Sequence, residues 1–178
     1  MGIVRPPGKV KLIVGMLAGD VDLFGRAKQL LCRQFGPVEL ESPIWPFTAT
    51  DYYQAEMGPD LKRRFLAFAE LIQPDRLAEI KRGTNELEAR ICDDLLLERD
   101  RRAVNLDPGY MSLSKLVLAS TKDHVQRVYL QQGIYAEVTL RYEHGRWQAW
   151  PWTYPDYADK TYHSFFQEVR DRLRRQLG

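Results

Sequence analysis

Residues 45–52 read WPFTATDY and residues 150–157 read WPWTYPDY, so the frame Trp-Pro-aromatic-Thr-x-x-Asp-Tyr occurs twice in a short chain. If the two copies met, their rings would wall a pocket that also held the carboxylates of Asp51 and Asp156. Such a pocket can stack a base or a sugar and can bind a hydroxyl group or a divalent cation. The same residues also make sense as architecture. A Trp-Pro pair at a strand end turns a core corner, and an Asp ahead of a helix caps it. The sequence leaves both readings open.

Three further groups carry chemistry. TKDH (121–124) places Lys122 at the entry to a strand that also carries Arg127, and both cations suit a phosphate. Along Ile134–Glu143, strand alternation sends Ile134, Ala136, Val138 and Leu140 to the core and Tyr135, Glu137, Thr139 and Arg141 to the other face. Under a helix, that second set would have to be paired and could form a catalytic or phosphate-binding constellation; an open, solvated face is the leading expectation. In NLDPGYMSLSK (105–115), an Asp-Pro-Gly turn leading towards Ser112 would offer backbone N–H groups to an anion that Lys115 neutralises. The competing reading is an ordinary turn closed by an Asx bond. Acid–base or Mg²⁺-binding carboxylates would then be Asp51, Glu56, Asp107 and Asp156. Ligand-binding groups would be Tyr52, Lys115, Lys122, Arg127, Glu137, Tyr154 and Tyr157.

The familiar signatures are missing. The sequence holds no G-x-x-x-x-G-K-[ST], no G-x-G-x-x-G, no G-x-S-x-G and no H-E-x-x-H. His124, His144 and His163 are scattered, so no histidine metal site is expected, and no cofactor is implied.

The elements that must position these groups read as α+β. Lys9–Leu17 is a β-branched run suited to a buried strand, and the apolar stripe through Val21–Phe35 predicts a helix ended by Gly36-Pro37. Val38–Trp45 alternates as a strand until Pro43, and Leu61–Ile72 is read as a strand. A long helix starts near Pro74, with Lys81 and Glu88 assigned to its solvated face. Three antiparallel strands follow, over Val125–Leu130, Ile134–Glu143 and Arg146–Trp152, with Gln-Gln-Gly and His-Gly turns between them. Asp159–Leu177 is an amphipathic C-terminal helix. The predicted architecture is a mixed, mainly antiparallel sheet with helices packed on one face.

At 178 residues with a net charge of +2, the chain predicts a single domain over 1–178, with 1–8 as a flexible arm. Its longest apolar run, Leu12–Gly19, is too short to span a membrane, so no membrane partner is expected. With no leader-like segment and only two cysteines, outside any CxxC, a cytoplasmic location is expected.

The ordered set TDYYQAEMG, LIQPDRLAEIKRGTNELE, NLDPGY, KLVLASTKDH and WTYPDY resembles a bacterial family known only as a domain of unknown function, number 4416 in that series. The resemblance runs along nearly the whole chain and implies a single-domain organisation. It implies no reaction, cofactor or active site.

Three functions from different classes follow from the residues. One is binding of, or action on, a phosphorylated or nucleotide-like metabolite. A second is a non-catalytic scaffold or partner subunit. The third is RNA binding through LKRR (61–64), RDRLRRQL (170–177) and exposed aromatic rings, which the near-neutral charge disfavours. The sequence leaves open whether the chain is an enzyme and what its oligomeric state is.

Overall fold

The computed structural model describes residues 2–98 and 100–178. Its centre is one antiparallel sheet of nine strands: β1 (Val10–Ala18), β2 (Val38–Glu41), β3 (Trp45–Pro46), β4 (Lys62–Ile72), β5 (Val104–Met111), β6 (Lys115–Ser120), β7 (Val128–Gln131), β8 (Ile134–Glu143) and β9 (Arg146–Ala149). The main path runs β2-β4-β1-β5-β6-β8-β7, with β3 beside β4 and β9 beside β8. The helices are α1 (Asp22–Phe35), α2 (Gln54–Met57), α3 (Leu77–Asp94), α4 (Pro155–Ala158) and α5 (Lys160–Leu177).

β1 lies in mid-sheet and is buried along its whole length, because both of its faces are covered. Leu12, Val14 and Met16 pack with Phe24, Leu31, Ile80 and Ile91 of α1 and α3. Ile13, on the opposite face, joins Phe65, Phe165, Phe166 and Val169, which brings in α5. The α+β class, the antiparallel pairing and the C-terminal helix are as the sequence predicts. The helices, however, occupy both faces rather than one, and every strand pair described is antiparallel. The two β7–β8 and β8–β9 hairpins turn at Gln132-Gly133 and His144-Gly145, each pair with both φ positive as a type I′ turn requires.

The sheet opens between β5 and β6. Their pairing covers only Gly109↔Leu118, Tyr110↔Val117 and Met111↔Leu116, so Val104–Pro108 has no β6 partner, although β1 pairs β5 along its full length. The edge left bare at Leu106 is satisfied from α3. Glu88 accepts from the Leu106 N–H at 2.6 Å, and Lys81 Nζ donates to the Leu106 carbonyl at 2.9 Å. Lys81 and Glu88 are buried here, which corrects their assignment to a solvated helix face.

This opening also corrects the expected Asp107-Pro108-Gly109 turn. The three residues continue β5 as extended strand. Pro108, two residues beyond Leu106, faces the same opened edge, so its missing N–H breaks no ladder bond. Gly109 marks the point of divergence. A Cβ there would lie 2.4 Å from the Val117 carbonyl oxygen and 2.6 Å from Leu118 Cδ2. Gly109→Ala is therefore expected to lower stability by about 1–3 kcal/mol, the usual cost of overpacking a core, measured by chemical denaturation. Wild-type stability in that variant would mean that the two strands separate freely.

Candidate ligand-binding cavity

A cavity of about 690 Å³ occupies the opening. β4 supplies Arg63, β5 supplies Asn105 and Asp107, and β6 ends at Ser120 on the far side. The segment before α2 brings Phe47, Tyr52 and Tyr53, while α4 and the residue before it bring Tyr154, Asp156 and Tyr157. Arg63, Arg127, Glu137, Asp156 and Tyr157 form a buried floor, and Tyr52, Lys122, His124 and Tyr154 are exposed around the mouth.

Arg63 organises the floor. Its side chain is only 3% exposed, with Nη1 3.2 Å from Asp107 Oδ2 and Nη2 3.1 Å from Asp156 Oδ2. Arg63 stands opposite Leu17 of β1 and Asp107 stands opposite Gly15, so the pair reaches diagonally across a strand, over about 10 Å of sheet. The route exists because Gly15 has no side chain. A Cβ there would fall 3.0 Å from the Tyr157 hydroxyl and 3.3 Å from Arg63 Nη1. Rings enclose the cation: its Cζ lies 5.1 Å from the Phe47 centroid and 5.8 Å from that of Tyr157.

The two aromatic frames therefore do meet, but unequally. Phe47 of the first and Asp156 and Tyr157 of the second converge on Arg63. Trp45 packs into the core, 4.9 Å from Tyr162. Trp150 and Trp152 stack on each other at 5.1 Å, outside the cavity, with Arg141 over Trp150. Asp51 is exposed in the turn before α2, accepts from Gln54 and does not line the cavity, so its pairing with Asp156 in one site is corrected.

From Asp107 a hydrogen-bond chain continues outwards. Asn105 Nδ2 donates to Asp107 at 2.7 Å, and Arg102 Nη2 donates to Asn105 Oδ1 at 2.6 Å and to Glu88 at 2.7 Å. Glu56 pairs the same guanidinium at 3.4 Å. Across the cavity, Arg127 is spent within the protein. It donates to Glu137 at 3.0 Å, to Ser120 Oγ at 2.7 Å, to the Lys122 carbonyl at 3.0 Å and to the Tyr154 hydroxyl. Lys122 bridges the mouth, where its ammonium meets the Tyr52 hydroxyl and lies 4.3 Å from that ring's centroid.

Glu137 and Thr139 are buried, so the expected open face of β8 is corrected. A register shift at Val138/Leu140 against β6 interrupts the alternation, and Glu137 and Leu140 end on the same covered side. Lys115 is also corrected as a site residue. It starts β6 exposed and away from the cavity, and the anion cradle expected ahead of it is a strand. The sequence reading missed Arg63, Lys81 and Arg102. Lys81 carried a signal, because it recurs with Leu77, Thr84 and Glu88 at helical spacing on the buried side of α3.

The two floor carboxylates differ in proton affinity. Burial pushes Asp107 up, but Lys81, Arg63 and the bonds from Asn105 and Arg63 outweigh it and hold it below its usual 3.8. For Asp156, burial outweighs Arg63, and the charge of Asp107 adds to it, so its affinity rises above 3.8. Carboxyls pushed apart in this way around one cation suit acid and base roles. Burial raises the phenols of Tyr53 and Tyr157, so both stay protonated at neutral pH. Among the described residues, no group of three or more His, Cys, Asp and Glu side chains gathers as a metal site.

The family described as Domain of unknown function (DUF4416) matches residues 8–173. The chain belongs to that family. No curated protein and no solved structure matches it. No helix among the described residues is long and apolar enough to cross a membrane. In this member of the family, the cavity is built from residues of both the N-terminal and C-terminal halves of the matched region.

Two measurements test the floor. Arg63→Met leaves the buried Asp156 and the partly buried Asp107 without their cation and is expected to cost about 3–5 kcal/mol, part of it recovered by adding Asp156→Asn. No recovery in the double variant would mean that Arg63 acts by packing alone. Carbon-13 NMR of the aspartate carboxyls should find Asp107 titrating below 3.8 and Asp156 above it. Asp107 holds its proton less tightly folded than unfolded, so its stabilisation is complete above 3.8 and is lost as pH falls through its depressed value. Asp156 has the opposite sign, with a contribution present in acid and lost as pH rises through the window above 3.8. Coincident titration of the two groups would overturn this assignment.

Proposed function

We propose that the chain is a single-domain cytoplasmic protein that binds, or acts on, a phosphorylated or nucleotide-like metabolite in this cavity. The observation that carries the reading is the convergence of Phe47, Arg63, Asp107, Asp156 and Tyr157, from separate segments, on one cavity of about 690 Å³. That volume lies within the range typical of small-molecule sites. Buried ion pairs are poor investments for stability alone, because removing two charges from water costs about as much as their attraction returns. Two such systems, Arg63–Asp107–Asp156 and Arg127–Glu137, lining a single cavity support a role in binding or chemistry.

The roles divide along the cavity. Tyr52 and Tyr154 offer faces for a ring at the mouth, and Lys122 offers an ammonium to phosphate. Glu56, Asp107 and Asn105 accept or donate to hydroxyl groups, while Asp156 and Asp107 stand as the acid–base pair. The thiols Cys32 and Cys92 are unpaired, which fits a reducing compartment.

The partner-subunit reading draws on a different observation. Val125, Val128 and Tyr129, in and before β7 at the sheet edge, are largely exposed.

Native mass spectrometry of freshly purified protein, compared with its denatured mass, separates these readings. The cavity reading expects a retained phosphorylated compound, or a rise in Tm with members of a nucleotide and sugar-phosphate panel. Asp156→Asn should then lose that response while remaining folded, and Asp51→Asn should keep it. A bare mass together with no response to the panel would overturn it.

A further inference from the structure

The charges around the cavity limit what it can hold. Its lining carries the cations Arg63, Lys81, Arg102, Lys122 and Arg127 against the carboxylates Glu56, Asp107, Glu137 and Asp156. Just behind the wall, Glu88 pairs Arg102 at 2.7 Å and brings the two signs level. Three of the cations are arginines already bound to carboxylates at 2.7–3.4 Å. Lys81 is turned to the Leu106 carbonyl and lies in the field that lowers Asp107. Among the described residues, Lys122 has no carboxylate partner and holds only the Tyr52 phenol.

Resting on the reading of the cavity as a phosphorylated-metabolite site, we infer that it selects a ligand with a single phosphate, a sugar or nucleoside monophosphate, seated at Lys122. A phosphate monoester carries about −1.5 to −2 charges at neutral pH, which one exposed ammonium and the polar groups of the 120–124 loop can meet. Ser120, Thr121 and His124, its neighbours in sequence, also line the cavity. Each added phosphate would bring further negative charge towards Asp107 and Glu56, while the other cations of the lining are already engaged, Lys81 with the Leu106 carbonyl and the three arginines with carboxylates. The opposite end suits hydroxyl groups, because Asp107 keeps 24% of its side chain exposed while Asn105 and Arg63 fix its position. Orientation follows: phosphate at the mouth, sugar hydroxyls towards β5.

Isothermal titration calorimetry with ribose 5-phosphate and with the mono-, di- and triphosphates of adenosine and uridine, each with and without magnesium, tests this. At least one monophosphate should bind at least tenfold more tightly than the corresponding triphosphate. Lys122→Ala, a change at an exposed position, should weaken that monophosphate at least tenfold without changing Tm, and Lys122→Arg should restore it. Equal affinities, or affinity rising with phosphate number, would overturn the single-phosphate inference and leave the broader reading standing. Tight monophosphate binding that Lys122→Ala leaves unchanged would overturn the placement at Lys122. Failure of every phosphorylated compound to bind would overturn both the inference and the function it rests on.

Discussion

A guanidinium that cannot be left unpaired away from water governs the architecture around the cavity. Arg63 enters from β4, and its charge is balanced from two directions, by Asp107 two strands away and by Asp156 from α4. Each balance imposes a condition elsewhere. Reaching Asp107 requires that β1 carry no side chain at Gly15. Reaching Asp156 requires that the chain after β9 fold back over the sheet, which α5 secures by burying Phe165, Phe166, Val169 and Leu173. Phe47, Phe65 and Tyr157 then surround the cation with ring faces that favour positive charge and exclude water. Burial opposes the Arg63 charge, but Asp156 and Asp107 outweigh it, so its proton affinity remains above that of a free guanidinium.

The opening between β5 and β6 supplies the second constraint. A buried strand edge must find partners for its N–H and C=O groups, and α3 provides them at Leu106 through Lys81 and Glu88. These side chains hold the sheet apart and join its bare edge to the site. Glu88 also fixes Arg102, Arg102 fixes Asn105, and Asn105 fixes Asp107. Alternating charge and amide therefore run from helix to cavity floor, and the members orient one another in a setting where each bond is stronger than in water. Pre-oriented acceptors of this kind are what a hydroxyl-bearing ligand would meet without further ordering cost.

Much of the fold was legible because local chemistry and tertiary packing agreed. The β7–β8–β9 hairpins followed from their Gly turns and alternating apolar residues, and α5 followed from the spacing of Phe165, Phe166, Val169 and Leu173. The misreadings fall where a long-range demand overrode local preference. Asp107-Pro108-Gly109 looks like a turn, but proline is tolerated on an edge that lacks its neighbour strand. Glu137 looked solvent-facing until the β8 irregularity and Arg127 covered it. Arg63 sat inside LKRR, where three adjacent cations suggested a surface patch, yet strand alternation buries the middle one between Lys62 and Arg64. Of the candidate site, Glu56, Asp107, Asp156, Tyr52, Lys122, Arg127, Glu137, Tyr154 and Tyr157 were all named from sequence and line the cavity, because they fall in segments dense in ionisable and aromatic residues that form turns, the short helices α2 and α4, and strands β5 and β8. Their common organiser was not legible, since nothing local marks the arginine that two distant aspartates will share.

The doubled aromatic frame shows why resemblance between short segments is a weak guide to equivalence. Asp51 and Asp156 occupy the same frame position, yet Asp51 is bonded locally to Gln54 in an exposed turn, whereas Asp156 is buried on Arg63. The Trp-Pro pairs diverge as well, one forming β3 beside Arg63 and the other following β9. What the copies share is a way of leaving a strand that brings bulky rings back over the sheet. Once over it, each ring is used according to its neighbours: Phe47 and Tyr157 flank a cation, Trp45 fills the core, and Trp150 and Trp152 stack with Arg141 at the sheet margin. The frame is therefore at once corner and wall, and the charge of Arg63 decides which of its residues belong to the wall.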